Sequence, residues 1–399
     1  MDERIKKAGN DLITLIKGLL EDEIYILNNP NYDDILKVAK YHSLQNMLYY
    51  AINHRRDKIN DNVPSHILKE LTKINNISIG KAAMFDAEYS LIKDKLNENN
   101  IRFLPLKGLI IKNLYPVIDM RSMADMDIFF DAHYAKEVKK IMCDLGYIVK
   151  MYNQGNHDVY LKEPFLNVEM HRMLMAESYS MSMYYKELVN NNIFSKLIKQ
   201  QGHEYHFSNE DYYIFMIAHA AKHFSNGGMG IRNVIDLYIF LKKYQNSLNF
   251  SYIREELEKL NVLKFNDNFV ELSEYWFNNR KDLNIKLMED FSDYIIDSGT
   301  YGNQNNVIIH QLIGEKEYKS IKMRRFAYIM HRLFPDVKTM KAIFPVLKKC
   351  ILLLPIMYII RIFKALCNKK KVKSELNSTK KIDENKTKKH KKFHDDIGV

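Results

Sequence analysis

Two short runs decide the reading of this chain: DMDIFF at residues 125–130 and FLNVEMH at residues 165–171. Both alternate apolar and polar side chains, and a β-strand sends successive side chains to opposite faces. In the first run Met126, Ile128 and Phe130 take one face, while Asp125 and Asp127 share the other. In the second, Leu166, Val168 and Met170 take one face and Asn167, Glu169 and His171 the other. The apolar faces mark the core side and so fix where the acids point. If the two strands lie close, Asp125, Asp127 and Glu169 form one carboxylate cluster. Two carboxylates so placed repel unless a cation sits between them. Magnesium takes hard oxygen ligands, typically one or two carboxylates plus substrate phosphates. Three carboxylates can hold two such ions, which stabilise the attacking and leaving oxygens of an in-line displacement. Glu169 is alternatively a base for an acceptor's proton.

Working upstream, residues 101–106 (IRFLPL) form an apolar run between an Asn pair and Lys107-Gly108, the pattern of a strand ending in a turn. Residues 109–114 read as a short helix opening at Gly108. A glycine at such a turn lets backbone N–H groups approach a phosphate, which the helix N-terminus favours. Lys107 supplies a point charge, and Arg121 is a candidate clamp for phosphate oxygens. Downstream, residues 132–145 read as a helix stopping at Gly146, and 147–151, 159–162 and 165–171 as strands. An Asp-x-Asp or a Lys-Gly alone arises by chance in many chains. The order of parts is the specific signal: strand, glycine turn, short helix, Asp-x-Asp strand, helix, then a strand bearing Glu.

That order resembles the polymerase-β-like nucleotidyltransferase fold. More closely, LPLKGLIIKNLYP, DMRSMADMDIFF and NVEMHR resemble an uncharacterised nucleotidyltransferase family of bacteria, with a Leu-Lys-Gly turn, an Arg before an Asp-x-Asp strand and a later Glu/Asp-x-His. The resemblance is firm over residues 101–172 and looser through HAAKHF, GIRNVIDLYIFL and the C-terminal LLLP segment. It implies transfer of a nucleoside monophosphate from a nucleoside triphosphate such as ATP to a hydroxyl or similar acceptor, with Mg²⁺. Carried over by position, Gly108 is the turn glycine, Asp125 and Asp127 the metal pair and Glu169 the third carboxylate. The wider superfamily has Gly-Ser or Gly-Gly at the turn, whereas Leu109 follows Gly108 here, and the gap from Gly108 to Asp125 is longer. That departure motivates an alternative function: a catalytically weak nucleotide-binding regulator or scaffold.

The fold class expected is α+β, a small mixed-sheet core between helical regions. Residues 1–98 form an N-terminal helical region, with apolar residues at helical spacing over 11–21, 33–52 and 65–97. Residues 99–175 are the α/β core. Residues 176–340 form a helical domain, with candidate helices at 209–225, 230–244, 252–260, 265–278, 303–313 and 319–333. Within it His219, Lys222 and His223 share a helix face. Two histidines one turn apart with no third ligand nearby do not make a zinc site. Lys222, His223 and Arg232 are read as a basic wall for the triphosphate. The alternative for Arg232 is an intrahelical ion pair with Asp236.

The remaining composition bounds partners and place. The net charge is +11 over 399 residues, and much of the excess lies in the Lys-rich residues 368–399, read as a disordered tail. Without it the chain is only mildly basic, so nucleic acid is not the expected partner; the acceptor is a small molecule, saccharide or protein. Cys143, Cys350 and Cys367 form no CxxC pair, which suits a reducing cytoplasm. Residues 1–7 are charged and carry no secretory signal pattern. Residues 341–367 read as an apolar C-terminal helix. Its apolar stretch, interrupted by Pro355 and closed by Arg361, falls short of the roughly 20 residues a span requires. With Lys369, Lys370 and Lys371 beyond it, the segment is either buried or a peripheral contact with the inner membrane face.

Overall fold

The computed structural model describes residues 2–59, 62–177, 179–278, 280, 282–313, 320–367, 373, 377–380 and 382–399. These divide into two compact units, residues 1–222 with 229–300, and residues 223–228 with 301–399.

The first unit begins with α1 (Glu3–Glu21), α2 (Tyr32–Tyr41), α3 (Gln45–Lys58) and α4 (Ser65–Glu98). The single helix expected over 33–52 is two helices. Ser43 sits at φ 57°, its N–H bonds Lys40 O and the N–H of Leu44 bonds Ala39 O, a Schellman ending that reverses the chain at buried Leu44. The same device ends α4. Asn100 takes φ 54°, the N–H of Ile101 bonds Leu96 O, and Ile101 is fully buried. The change of pattern at Asn99-Asn100 is therefore a helix stop that aims the chain into the sheet.

The sheet follows: β1 (Phe103–Pro105), α5 (Gly108–Ile111), β2 (Met126–Phe130), α6 (Ala135–Asp144), β3 (Ile148–Met151), β4 (His157–Lys162) and β5 (Leu166–His171). The strand order is β1-β2-β5-β4-β3. Within this sheet only β2 and β5 pair in parallel, and their register sets Asp127 opposite Glu169 and Phe129 opposite His171. Strands β4 and β5 form a hairpin in which His157 faces His171. The alternation read from sequence holds: Met126, Ile128, Phe130, Val168 and Met170 join Phe85, Ile92 and Leu96 of α4 and Val138 and Met142 of α6 in one buried cluster. The outer edge of β1 is covered by a small hairpin, β6 (Ile198–Lys199) and β7 (Tyr205–His206), through Phe103 N–H to His203 O.

The unit continues with α7 (Ser182–Asn190), α8 (Asn209–Ser225), α9 (Ile231–Tyr244), α10 (Phe250–Lys259), α11 (Leu263–Phe277) and α12 (Ile285–Ser298), the last turn of α8 belonging to the second unit. Neither α7 nor α12 is among the helices expected from the sequence, although α12 buries Met288, Phe291, Ile295 and Ile296 at helical spacing. The fold is α+β with helical regions before and after the sheet.

The second unit holds α13 (Gln304–Ile313), α14 (Ile321–Leu333), α15 (Val337–Ile343), α16 (Leu354–Cys367) and α17 (Glu384–Ile397). The expected apolar helix over 341–367 is confined to its second half, after two 3₁₀ turns at Pro345–Lys348 and Ile351–Leu353. The expectation of a disordered tail over 368–399 is corrected at its end. Helix α17 is capped by the Asp383 side chain and buries Thr387, His394 and Ile397 along one face. Lysine richness hid that periodic stripe. Lys369, Lys370 and Lys371 lie outside the described residues. Among the described residues, no helix is long and apolar enough to cross a membrane.

Candidate active site

Asp127 is the centre of the cluster. It is 4% exposed, and its Oδ1 accepts from Lys107 Nζ at 2.7 Å and His171 Nε2 at 2.8 Å. Burial alone would raise its pKa, but the Lys107 charge and the His171 hydrogen bond overcome that and hold it below the usual carboxylate range. Asp125, one residue before β2, is different. Burial, and then the charges of Asp127 and Glu169, raise it to about 6, with Lys107 and Arg232 opposing. The two acids therefore sit in one field and are driven apart by it. Glu169 lies across the strand pair from Asp127, and its Oε2 is 3.5 Å from Nε2 of both His157 and His171. Burial pushes Glu169 upward, yet the His171 hydrogen bond and nearby imidazoles leave it lowered. His171 itself is raised, because the bonds from Asp127 and Glu169 outweigh the desolvation that lowers it.

Lys107 occupies an unusual backbone position. Leu106 to Leu109 form a tight turn closed by the Leu109 N–H on Leu106 O, and Lys107 takes φ 46°, ψ −116° in it. Those are the dihedrals of the first central residue of a type II′ turn, a position glycine normally fills. Holding a lysine there costs roughly 1–3 kcal/mol, a strain that clusters at functional sites. The Tyr212 hydroxyl donates to Lys107 O at 3.0 Å and steadies the turn. Gly108 follows without positive φ. Its requirement is spatial, since a Cβ would come within 2.8 Å of Met123 Sδ.

Arg121 does not clamp phosphate in this arrangement. Its Nε reaches Asp236 Oδ1 at 2.8 Å, Nη2 reaches Oδ2 at 2.8 Å and Nη1 reaches Ser122 O at 3.0 Å. The fork is spent inside the protein, with both side chains only 9% exposed. The expected intrahelical Arg232–Asp236 pair is corrected by the same contact. Asp236 belongs to Arg121 and Tyr115, and Arg232 donates to Ser122 O at 3.0 Å. Arg232 thus braces the loop leading to Asp125 and adds positive charge to its field. Lys222 also faces the cluster. Burial and then Lys107 lower its ammonium to about 8, while Asp127 and Glu169 pull the other way, and it lies over the Tyr179 ring. His223 is grouped with the second unit, and its carbonyl accepts from Asn226 and Gly228 where α8 ends. Of the basic wall read from sequence, Lys222 and Arg232 both act on the field of the acids.

Three further residues join the cluster. His171 shares the acid face in the alternation, and its position two residues after Glu169 is the signal for it. His157 comes in only through the β4–β5 register, which the sequence does not show. Lys81 on α4 feels Asp125 and lies over the Phe85 and Phe165 rings. His157, Glu169 and His171 hold donor atoms within 4.8 Å of one another. Next to the oxygens of Asp125 and Asp127, the donor set is thus mixed. The hard oxygens suit magnesium, and the imidazoles extend the set toward manganese or zinc.

Acids paired across two parallel strands, faced by a lysine turn and backed by one buried sheet face, are the arrangement expected of a nucleotidyltransferase-type core. Residues 28–278 match the family described as "Uncharacterised nucleotidyltransferase", and the chain belongs to that family. No curated protein and no solved structure matches the chain.

Proposed function

We propose that the first unit moves a nucleoside monophosphate from a nucleoside triphosphate to an acceptor hydroxyl, releasing pyrophosphate on the cytoplasmic side. The observation that carries this is the electrostatics of Asp125. Burial first, and then the charges of Asp127 and Glu169, raise its carboxyl to about 6. Asp127 stands opposite Glu169 across the strand pair, and carboxylates gathered in this way are relieved by a divalent cation. Asp125, Asp127 and Glu169 would hold magnesium, which when bound supplies charge neutralisation at the transferring phosphoryl group. Lys222, Arg232 and the Lys107-Gly108 turn would receive the triphosphate. The protein's share of the work is positioning and charge stabilisation, as in phosphoryl transfer generally. The acceptor is a small molecule, saccharide or protein that carries the hydroxyl.

The test is consumption of labelled ATP and the other triphosphates with pyrophosphate release, comparing the wild type with Asp125→Asn/Asp127→Asn. Equal turnover by the double variant would sink the assignment. A second reading is favoured by the two donors already on Asp127 Oδ1: a nucleotide-binding regulator or scaffold with little turnover. Magnesium-dependent binding by calorimetry, with no pyrophosphate across an acceptor screen, would select it.

A peripheral membrane contact is proposed for α16 and the 3₁₀ turn before it. Leu352 of that turn and Ile356, Ile359 and Phe363 of α16 are 84%, 51%, 56% and 65% exposed, with Arg361 and Lys364 among them. Such a face suits an anionic lipid surface. Co-sedimentation with anionic vesicles that survives deletion of residues 346–399 would dispose of it.

A further inference from the structure

The second unit contains a cluster that nucleotide chemistry does not use. His390 and His394 stand one helical turn apart on α17, and His310 faces them from α13. One ring nitrogen from each lies within 4.8 Å of the others. His310 Nε2 and His394 Nδ1 are 3.1 Å apart. The His310–His394 and His390–His394 ring centroids are both separated by 4.4 Å, and the His310–His390 centroids by 5.4 Å.

We propose that His310, His390 and His394 form a three-imidazole site for a borderline transition-metal ion, zinc in the first place. Two nitrogens bound at about 2.0–2.1 Å to a tetrahedral zinc stand roughly 3.3 Å apart, so the His310–His394 pair needs little adjustment. The donors are all imidazole nitrogens. That excludes magnesium and calcium, which take oxygen, and favours zinc, copper or nickel. Burial keeps all three imidazoles below their ordinary pKa, so each offers a neutral lone pair at neutral pH. Lys386, one turn before His390, opposes a cation there. Around His394 the rings of Phe224, at 4.9 Å, and Phe393, at 5.8 Å, form an apolar shell of the kind that shields a bound ion from water.

The consequence is structural. Helix α17 carries few apolar side chains, and Thr387, His394 and Ile397 are the residues it buries. An ion shared with His310 would staple it to α13, beside the core of Ile308, Ile309, Leu312 and Tyr328. Three protein ligands leave the fourth tetrahedral position for water.

The experiment uses the full chain, stripped with chelator and titrated with Co²⁺ and Zn²⁺. Wild type is expected to take up cobalt with the strong visible absorption of a four-coordinate ion, displaced by zinc. His390→Gln/His394→Gln should lose that spectrum. His157→Gln/His171→Gln, which alters the imidazoles of the first unit, should keep it. Hydrogen exchange supplies a second readout that does not depend on either variant folding: zinc should protect the α17 amides of wild type. A spectrum that persists in His390→Gln/His394→Gln, or is lost only in His157→Gln/His171→Gln, overturns the site. So does a wild type with no four-coordinate spectrum and no zinc protection of α17. In that case His310 and His394 share only an imidazole hydrogen bond.

Discussion

Replacing Arg121 by Met separates a structural from a phosphate-binding role for this residue. In the structure Asp236 receives two nitrogens of Arg121 and the Tyr115 hydroxyl at 2.6 Å, all nearly buried. Arg121→Met strands that carboxylate with one donor, and breaking a buried pair by removing one partner costs about 3–5 kcal/mol. Arg121→Met with Asp236→Leu removes both charges. Its expected cost is much smaller, on the order of 1 kcal/mol for the orphaned Tyr115 hydroxyl plus any packing defect. The singles should therefore sum to far more than the double. The assay is equilibrium urea unfolding followed by fluorescence of Trp276, the single tryptophan, which is buried on α11 and so reports the first unit. With a urea slope of about 3 kcal/mol/M, the Arg121→Met midpoint should fall by ~1 M or more. A wild-type midpoint combined with lost nucleotide affinity would refute this and return Arg121 to the phosphate.

Gly108→Ala should destabilise the first unit by about 1–3 kcal/mol, because the new methyl meets Met123 Sδ and a packed site resists added volume; Met123→Ala in the same chain should recover most of it, and additive losses in the unfolding assay would disprove the clash. His42, fully buried and bonded to Ile296 O, has its pKa lowered to about 4 by desolvation. The unfolded chain takes a proton near 6.5 and the folded one does not, so stability is full above 6.5 and falls toward pH 4, by about 3 kcal/mol at most. His42→Gln should lose that part of the acid sensitivity, and an unchanged pH slope in urea midpoints would count against it.

The sheet was legible because period-2 alternation is a local property. Met126, Ile128, Val168 and Met170 announce their face without reference to anything distant, and Asn100 and Gly146 mark the stops of α4 and α6. What was illegible depends on pairing. His157 reaches the acids only because β4 folds back on β5, and that register is not written in either strand alone. Arg121 and Asp236 lie 115 positions apart, and nothing near Arg121 signals that its fork is already occupied. The basic composition of 384–397 concealed the spacing of Thr387, His394 and Ile397, since a stripe built from threonine and histidine does not register as apolar. Ser43 broke a helix that periodicity carried through, because a left-handed serine leaves no trace in hydrophobic pattern.

The asymmetry between Asp125 and Asp127 gives the cluster a signature that can be read in the metal-free protein. Asp127 is ionised far below neutrality because Lys107 and His171 both donate to one of its oxygens. Asp125 has no such pair of donors, and burial with two neighbouring carboxylates leaves it at about 6. Two changes must therefore move Asp125 in opposite directions. Asp127→Asn removes a like charge and releases Lys107, so the Asp125 midpoint should fall, though burial keeps it above the ordinary range. Lys107→Met removes the largest opposing cation, so the midpoint should rise above 6. Carboxyl ¹³C shifts against pH follow both. If neither variant moves Asp125, the two acids do not share a field and are not arranged for a common cation. If both variants move it upward, Asp127 is acting on Asp125 through structure and not through charge. Only the opposed pair of shifts is what a site built from crowded carboxylates and one tethered lysine requires.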